Sequence, residues 1–466
     1  MRLARAGLLT VLLVCVVGAS AAPASAARGL TTGFADGLLG SPDASVRQAW
    51  LTRASDAGAG IARINASWAS IAPTRPADPT NPGDPVYSFG ALDTAVSAAV
   101  GNGLTPLVTI TGAPGWAEGA GRPSGVMPGA WKPDVGAYGQ FGAAVAKRYS
   151  GGFAGLPRVV YFQAWNEPNL DIYLAPQYQG QRHKPVGALL YRSLLNAFYD
   201  AVKVARPDAK VVSGGTAPFG DPVGGHRTRP VLFWRTVLCL KQKHGKLRKG
   251  KCPPGGPVTM DVMAHHPIKA FGGPLKPALS PNDASSADLG RISRLLRAAE
   301  RFHTVLPRGH RPLWATETWW ETNPLDSLAG VDPVRQAYRL EQALYLIWKG
   351  GGSVAVNLQI ADTATHAEGG TDQSGIFRAD GTPKPSFTAF KFPFVGDRTR
   401  RGVIAWGKSP AAGTLLIQQG RGGGWRTLRR MSVGTGQVFT ARLHLRKKSR
   451  LRATVVGQTS LVWTQR

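Results

Sequence analysis

Negative charge is what this sequence has least of. Its 466 residues carry 56 lysines and arginines against 27 aspartates and glutamates, a formal charge of +29. Only seven of the acids are glutamates, at positions 118, 167, 300, 317, 321, 341 and 368. A surface of this sign attracts polyanions such as acidic polysaccharides, anionic cell walls or nucleic acid, although arginine-rich composition is also common in exported proteins from GC-rich genomes. Nothing in the chain resembles a nucleic-acid-binding module. Apolar runs of about 18 to 20 residues are missing, which excludes a membrane-spanning helix. No glycine-rich phosphate loop occurs anywhere, and Gly33-Phe34-Ala35-Asp36 after the first strand-like run lacks a dinucleotide fingerprint, so a nucleotide cofactor is not expected.

Cysteine is nearly absent too, with three in the chain. Cys15 lies in an N-terminal stretch that opens with Arg2 and Arg5, continues through an apolar segment from about Leu8 to Gly18, and ends in Ala24-Ser25-Ala26. That order of positive, apolar and small residues predicts a secretory signal peptide over residues 1–27 and an extracellular or cell-wall destination. Valine precedes Cys15, which argues against a lipid anchor. Loss of Arg2 and Arg5 takes the charge from +29 to +27. The mature chain then keeps Cys239 and Cys252, read as one disulfide suited to an oxidising compartment. It encloses Lys241, Lys243, Lys246, Arg248, Lys249 and Lys251. Two cysteines without a second nearby pair do not fill a zinc shell, so no metal is expected.

Apolar strand-like runs then alternate with helical patterns. Strands are predicted near Leu30 to Phe34, Ile61 to Asn65, Thr105 to Thr111, Val159 to Ala164, Lys210 to Ser213, Met260 to Ala264, Pro312 to Thr316 and Ser353 to Gln359. Helical periodicity fills Ser45 to Ala57, Ala91 to Gly101, Asp134 to Tyr149, Val186 to Val204, Ala284 to His303 and Pro333 to Trp348. The interval after the fifth strand is the least regular. Eight strand-helix units predict an α/β fold, a (β/α)8 TIM barrel over residues 28–394. From about Val395 short β runs separated by glycine-rich turns predict a small C-terminal β-sandwich-like domain over 395–466, which serves as packing, spacer or glycan-binding module.

Two of the few glutamates stand at strand tips. The run Val159-Val160-Tyr161-Phe162-Gln163-Ala164-Trp165-Asn166-Glu167-Pro168-Asn169 is apolar until it stops at a carboxylate between two amides, and Pro168 cannot continue a sheet ladder. The other lies in Pro312-Leu313-Trp314-Ala315-Thr316-Glu317-Thr318-Trp319-Trp320, where alternation places Leu313, Ala315 and Glu317 on one face, taken as the barrel interior. Both follow barrel strands, the fourth and seventh, on the face where barrel active sites are built. Paired carboxylates of this kind suit glycosidic bond cleavage, in which one group protonates the leaving oxygen and the other attacks the anomeric carbon or directs water at it. Glu321 is the nearby alternative to Glu317 but falls in the loop beyond.

Trp165-Asn166-Glu167-Pro168-Asn169 resembles the Asn-Glu-Pro signature on strand 4 of clan A glycoside hydrolases, and Trp314-Ala315-Thr316-Glu317 resembles their strand 7 motif. With Ala113-Pro114-Gly115-Trp116-Ala117 and His265-His266-Pro267, the likeness is to glycoside hydrolase family 39 and related bacterial exopolysaccharide hydrolases, over most of residues 30 to 390. The resemblance implies a retaining double displacement with Glu167 as acid/base and Glu317 as nucleophile. It also implies Arg63 beside the nucleophile and Asn166 on the sugar 2-hydroxyl, with no cofactor. Trp116, Trp319 and His266 are further candidates for sugar contact; Trp320 and His265 are as well explained by packing or hydrogen bonding. The sequence departs from the pattern in having Pro267-Ile268 where many members place a tyrosine after the strand 6 histidine. It departs again in having Asn357-Leu358-Gln359 where strand 8 often ends in a tryptophan. The expected partner is a β-glycan, neutral or acidic, and the expected state is a monomer. The other readings are a non-catalytic glycan-binding or cell-wall protein on the same barrel, and a transglycosidase.

Overall fold

The computed structural model describes residues 28–268, 272–323, 330–364, 371–445 and 447–465. The leader expected over residues 1–27 and Glu368 lie outside them. Eight parallel strands form one sheet: β1 (Thr31–Phe34), β2 (Ile61–Ser67), β3 (Thr105–Thr111), β4 (Tyr161–Ala164), β5 (Lys210–Ser213), β6 (Met263–His265), β7 (Leu313–Thr318) and β8 (Gly352–Asn357). Their spatial order runs β5-β4-β3-β2-β1-β8-β7-β6. Single parallel bridges, Val212 with Val262 and Thr216 with His265, bring β5 and β6 together and close the circle. The fold is thus a TIM barrel, with all eight expected strands present.

Helices lie on the outside between these strands, α1 (Ala44–Asp56), α2 (Gly90–Gly101), α3 (Val135–Arg148), α4 (Val186–Ala205), α5 (Pro230–Val237), α6 (Leu289–Phe302) and α7 (Pro333–Lys349), with α8 (Pro385–Lys391) after β8 and one further turn, Trp68–Ile71, directly after β2. Short polar side chains start several of them. Asp43 accepts from the Ser45 and Val46 amides, Asp134 from Ala137, and Asp332 from Val334 and Arg335, satisfying donors that a first helical turn leaves unpaired. α5 lies in the interval that periodicity left unassigned. It is only eight residues long, with Pro230 in its first turn, and is fixed by tertiary contact: the indole of buried Trp234 donates to Thr216 Oγ1 at 2.9 Å.

Next comes a hairpin, Leu240–Lys243 against Lys246–Lys249, carrying the basic side chains outward. The sulfurs of Cys239 and Cys252 are bonded at its base. A cross-link over 13 residues removes chain entropy worth roughly 3 kcal/mol from the unfolded state. Reduction is therefore expected to lower the melting temperature by several degrees without altering the barrel's circular dichroism, as a thermal scan with and without a phosphine reductant will read.

Beyond α8 the chain is all β. A three-stranded antiparallel sheet of β9 (Phe394–Thr399), β10 (Gly402–Lys408) and β13 (Val438–Leu443) faces a second sheet built on β11 (Gly413–Arg421), β12 (Gly424–Val433) and β14 (Arg450–Val455). Phe394, Val403, Leu415, Ile417, Phe439 and Leu451 fill a core of their own between them. This sandwich-like domain packs on α7. Trp406 meets Tyr345 and Trp348, with ring centroids 5.5 and 5.9 Å apart. Asp397 accepts from Lys349 and Tyr345, and buried Lys408 reaches Thr32 Oγ1 at the base of β1 at 2.8 Å. Burial without a carboxylate partner lowers the Lys408 ammonium to about 8.

Candidate active site

The barrel interior changes character along its axis. Toward the strand starts it is filled by Ile61, Leu107, Val212, Val262, Ala264, Trp314, Val354 and Val356. Two residues further along five of the strands, toward the mouth, the inward positions turn polar: Arg63 follows Ile61, Thr109 follows Leu107, Gln163 follows Tyr161, His266 follows Ala264 and Thr316 follows Trp314. All five are buried, so each needs partners, and the partners they find are one another.

The polarity of this network can be assigned from donors and acceptors alone. Arg63 Nε can only donate, and it lies 3.0 Å from Gln163 Oε1. The Ser213 carbonyl can only accept, and it lies 3.0 Å from Gln163 Nε2. The amide orientation is therefore fixed. Gln163 Nε2 also donates to Thr316 Oγ1 at 3.1 Å, which leaves the Thr316 hydroxyl proton for His266 Nε2, again at 3.1 Å. His266 must then carry its proton on Nδ1, which faces Glu167 Oε1 at 2.8 Å. Burial holds His266 down at about 4, so the ring is neutral near neutral pH and donates to Glu167 without bringing a charge.

Arg63 organises the other half. Its Nη1 donates to Glu317 Oε2 at 3.2 Å and its Nη2 to Asn166 Oδ1 at 2.7 Å. Because Asn166 gives its oxygen to Arg63, its NH2 faces elsewhere, toward Tyr173 in the loop after β4. Burial first, then the nearby charges of Glu167 and Glu317, push the Tyr173 hydroxyl up to about 12. Tyr173 was not among the sequence candidates. No motif marks it, since it enters through a loop.

Glu167 and Glu317 converge here, and neither does so by simple strand alternation. β4 ends at Ala164, before Pro168, and the chain then turns through two left-handed residues, Trp165 (φ 77°) and Glu167 (φ 38°). Such angles cost a non-glycine residue about 1 to 3 kcal/mol and persist only where the surroundings fix them. The fixing contacts are Trp165 N to the Ile110 carbonyl (2.9 Å) and Glu167 N to the Gly215 carbonyl (3.0 Å), with buried Asn169 holding the loop through Ala217 and Thr228. On β7 the expectation of Leu313, Ala315 and Glu317 sharing the interior face is overturned. Leu313 and Ala315 pack outward in the core shared with the helices, while Trp314 and Thr316 point inward. The register with β8 slips between Ala315, opposite Ala355, and Thr318, opposite Asn357. Three steps on β7 thus match two on β8. This bulge re-aims Glu317 into the mouth beside Thr316.

One oxygen of Glu167, one of Glu317 and a ring nitrogen of His266 all lie within 4.8 Å of one another. The carboxylate side chains keep 13% and 15% of their surface, enough to meet a ligand from the mouth. Burial pushes Glu167 up to about 7 against the opposing pull of Arg63. These three groups are also the one cluster among the described residues with a plausible cation-ligand set. The guanidinium 3.2 Å from Glu317 disfavours a cation there.

The other candidates fall elsewhere. His265 spends both ring nitrogens on structure, Nδ1 on Thr216 Oγ1 (2.8 Å) and Nε2 on the Ala284 carbonyl (2.7 Å), and is held down at about 3 by burial. Glu321 is buried, and accepts from the Gln373 amide at 3.1 Å. Trp116 donates to the Ala72 carbonyl, packs edge-on against Trp68 and carries Arg75 on its face, contacts that tie it to the β2 and β3 loops and not to the carboxylates. Trp319, two residues past Glu317, is half-buried, and its indole N–H is enclosed with no partner among the described residues.

The His266 bond yields a directional expectation. Replacing His266 with Leu removes a donor to the ionised form of Glu167, so the Glu167 pKa should rise further, by about one unit, the equivalent of one charge-assisted hydrogen bond. An alkaline limb of a pH-rate profile that stays put or moves down in H266L would contradict the proton assignment above.

No protein-family model matches the sequence, and no curated protein matches it. Solved structures do resemble the fold. A family 39 glycoside hydrolase from the gut symbiont Bacteroides cellulosilyticus WH2 aligns with a TM-score of 0.55 at 16% identity, over 89% of this chain and 81% of that one. The GH39 enzyme from Xanthomonas axonopodis pv. citri aligns at 0.52 and 16%, over 92% and 94%. A monomeric beta-xylosidase from Caulobacter crescentus CB15 aligns at 0.52 and 15%, over 92% and 98%. At such identity the likeness is one of fold.

Proposed function

We propose that this protein is an exported glycoside hydrolase that cleaves β-linked O-glycosides with retention, with Glu317 as nucleophile and Glu167 as acid/base. The observation that carries the reading is the approach of the two carboxylates to within 4.8 Å. A double displacement needs about 5 Å, and a single displacement, which must fit a water between substrate and base, needs roughly 6.5 to 9.5 Å. In the first step a Glu317 oxygen bonds to the anomeric carbon as the bond to the leaving oxygen breaks, and that oxygen takes the Glu167 proton. In the second, water attacks the anomeric carbon, Glu167 takes its proton and Glu317 leaves as carboxylate. Arg63 holds both Glu317 and Asn166, which leaves the Asn166 NH2 as the donor assigned to the sugar 2-hydroxyl. Trp319, two residues past Glu317 and half-buried, offers an aromatic face to the same sugar.

In this reading residues 1–27 are the export leader, 28–394 the catalytic unit and 395–466 an accessory domain, and the chain acts as a monomer outside the cell or at its wall. No cofactor is needed for either step. Among the described residues no helix is long and apolar enough to cross a membrane. The test is a panel of 4-nitrophenyl β-glycosides and β-glycans. The β-xyloside comes first because the Caulobacter neighbour is a beta-xylosidase. Proton NMR should show the β-anomer of the product first; the α-anomer first, or no reducing ends from any member, would reject the mechanism.

A further inference from the structure

Outside the barrel mouth, a cavity of about 900 Å³ opens between α7 and the C-terminal domain, within the range of small-ligand sites of roughly 300 to 1,000 Å³. It shares no lining residue with the carboxylate site. Its walls combine two aromatic rings with a surplus of cations. Tyr338 and Trp463 stand edge to face with centroids 6.1 Å apart, each anchored by its polar tip: Tyr338 donates to the Val462 carbonyl at 2.7 Å, Trp463 to that of Gly396 at 3.0 Å. Their polar atoms are thus spoken for, and both rings remain partly exposed. Around them stand Lys276, Arg335, Arg339 and Arg398. The two acids of the lining are engaged in the fold, Asp332 as the cap of α7 and Asp397 in its bonds to Lys349 and Tyr345.

The lining also contains Gln465, which is 95% buried, since 5% of its surface is exposed. Both Oε1 and Nε2 are enclosed, and neither has a hydrogen-bond partner among the described residues. A buried amide with both ends unmet is rare, and each unmet group costs stability unless something else supplies a partner. A ligand group that reached this amide from the cavity would donate to one atom and accept from the other, beside flat apolar rings and several cations. A saccharide hydroxyl does both, sugar rings lie flat on aromatic faces, and a uronic acid carboxylate meets guanidinium groups through charge-assisted bonds.

We propose that this cleft is a second, non-catalytic site that binds a carboxylate-bearing segment of an acidic glycan. It would hold a polyanionic chain on the flank of the barrel whichever bond the mouth cleaves, so the proposal stands apart from the catalytic reading.

The test is calorimetric titration of the full chain with tetragalacturonate, and with its carboxyl-reduced neutral counterpart, in physiological salt. Binding of the acidic tetramer at least tenfold tighter than the neutral one is expected, weakened tenfold or more in R335A/R339A and unchanged in E317Q. Gln465→Leu separates binding from folding. It removes both unpaired atoms, so its melting temperature should hold or rise while tetragalacturonate binding falls. No measurable binding, equal binding of the neutral tetramer, equal binding of a single-stranded oligonucleotide, or binding indifferent to R335A/R339A would each overturn the assignment.

Discussion

Glu317→Gln is expected to lower turnover of any active glycoside by about 10⁴-fold or more, the scale of losing a covalent nucleophile, while leaving the melting temperature and the barrel intact. Gln has nearly the shape of Glu and its oxygen can still accept from Arg63 Nη1, which now lies 3.2 Å from Glu317 Oε2. What disappears is the charge that, in the proposed mechanism, attacks the anomeric carbon. Glu317→Ala opens space in the same place. Added azide should restore part of the turnover there and give an α-glycosyl azide from a β-glycoside, because the anion attacks from the face the carboxylate held. Activity of Glu317→Gln within tenfold of the parent, or rescue that gives the β-azide, would remove Glu317 from the role.

The second large effect concerns Glu167. The proposed acid role requires it to be protonated in the free enzyme, and burial pushes it up to about 7. The ratio kcat/KM should therefore fall about tenfold per pH unit above 7. Glu167→Gln should abolish that limb. It should also cost roughly 10²- to 10⁴-fold on an alkyl glycoside, whose leaving oxygen needs a proton, and far less in the first step of a 2,4-dinitrophenyl glycoside, whose leaving group does not. A profile limb that persists in E167Q would assign the titration to another group. Stability gives an independent readout. A carboxyl raised from 4.5 to about 7 on folding favours the folded state while protonated, and that contribution is lost as pH rises through 7. E167Q cannot ionise, so above pH 8 it should be more stable than the parent by up to roughly 3 kcal/mol.

Much of the fold was legible because its signals are local. An apolar run bounded by glycine or proline reads as a buried strand whatever surrounds it, and all eight barrel strands lie within a few residues of where those runs predict them. α5 escaped because eight residues carry too little periodicity, and Trp234 is held by Thr216, 18 positions away. Met260, expected in β6, instead lies outside it. The preceding pair Val258–Thr259 joins a two-stranded ladder with Val305–Leu306, and only Met263–His265 enters the barrel.

At the site, the chain by itself determined which residue types could do the chemistry: two strand-tip carboxylates among seven glutamates, an arginine on β2, an amide before one acid and a histidine after β6. It could not determine which way Glu317 faces. Strand parity put it with Leu313 and Ala315, and they point away from the mouth; the bulge against β8 brings it back, and a bulge is a property of two strands in register. Nor could the chain reveal Tyr173, or that Thr316 and Gln163 set the proton on His266. Hydrogen-bond polarity propagates through space between residues 50 to 153 positions apart, and only the closed barrel makes them neighbours.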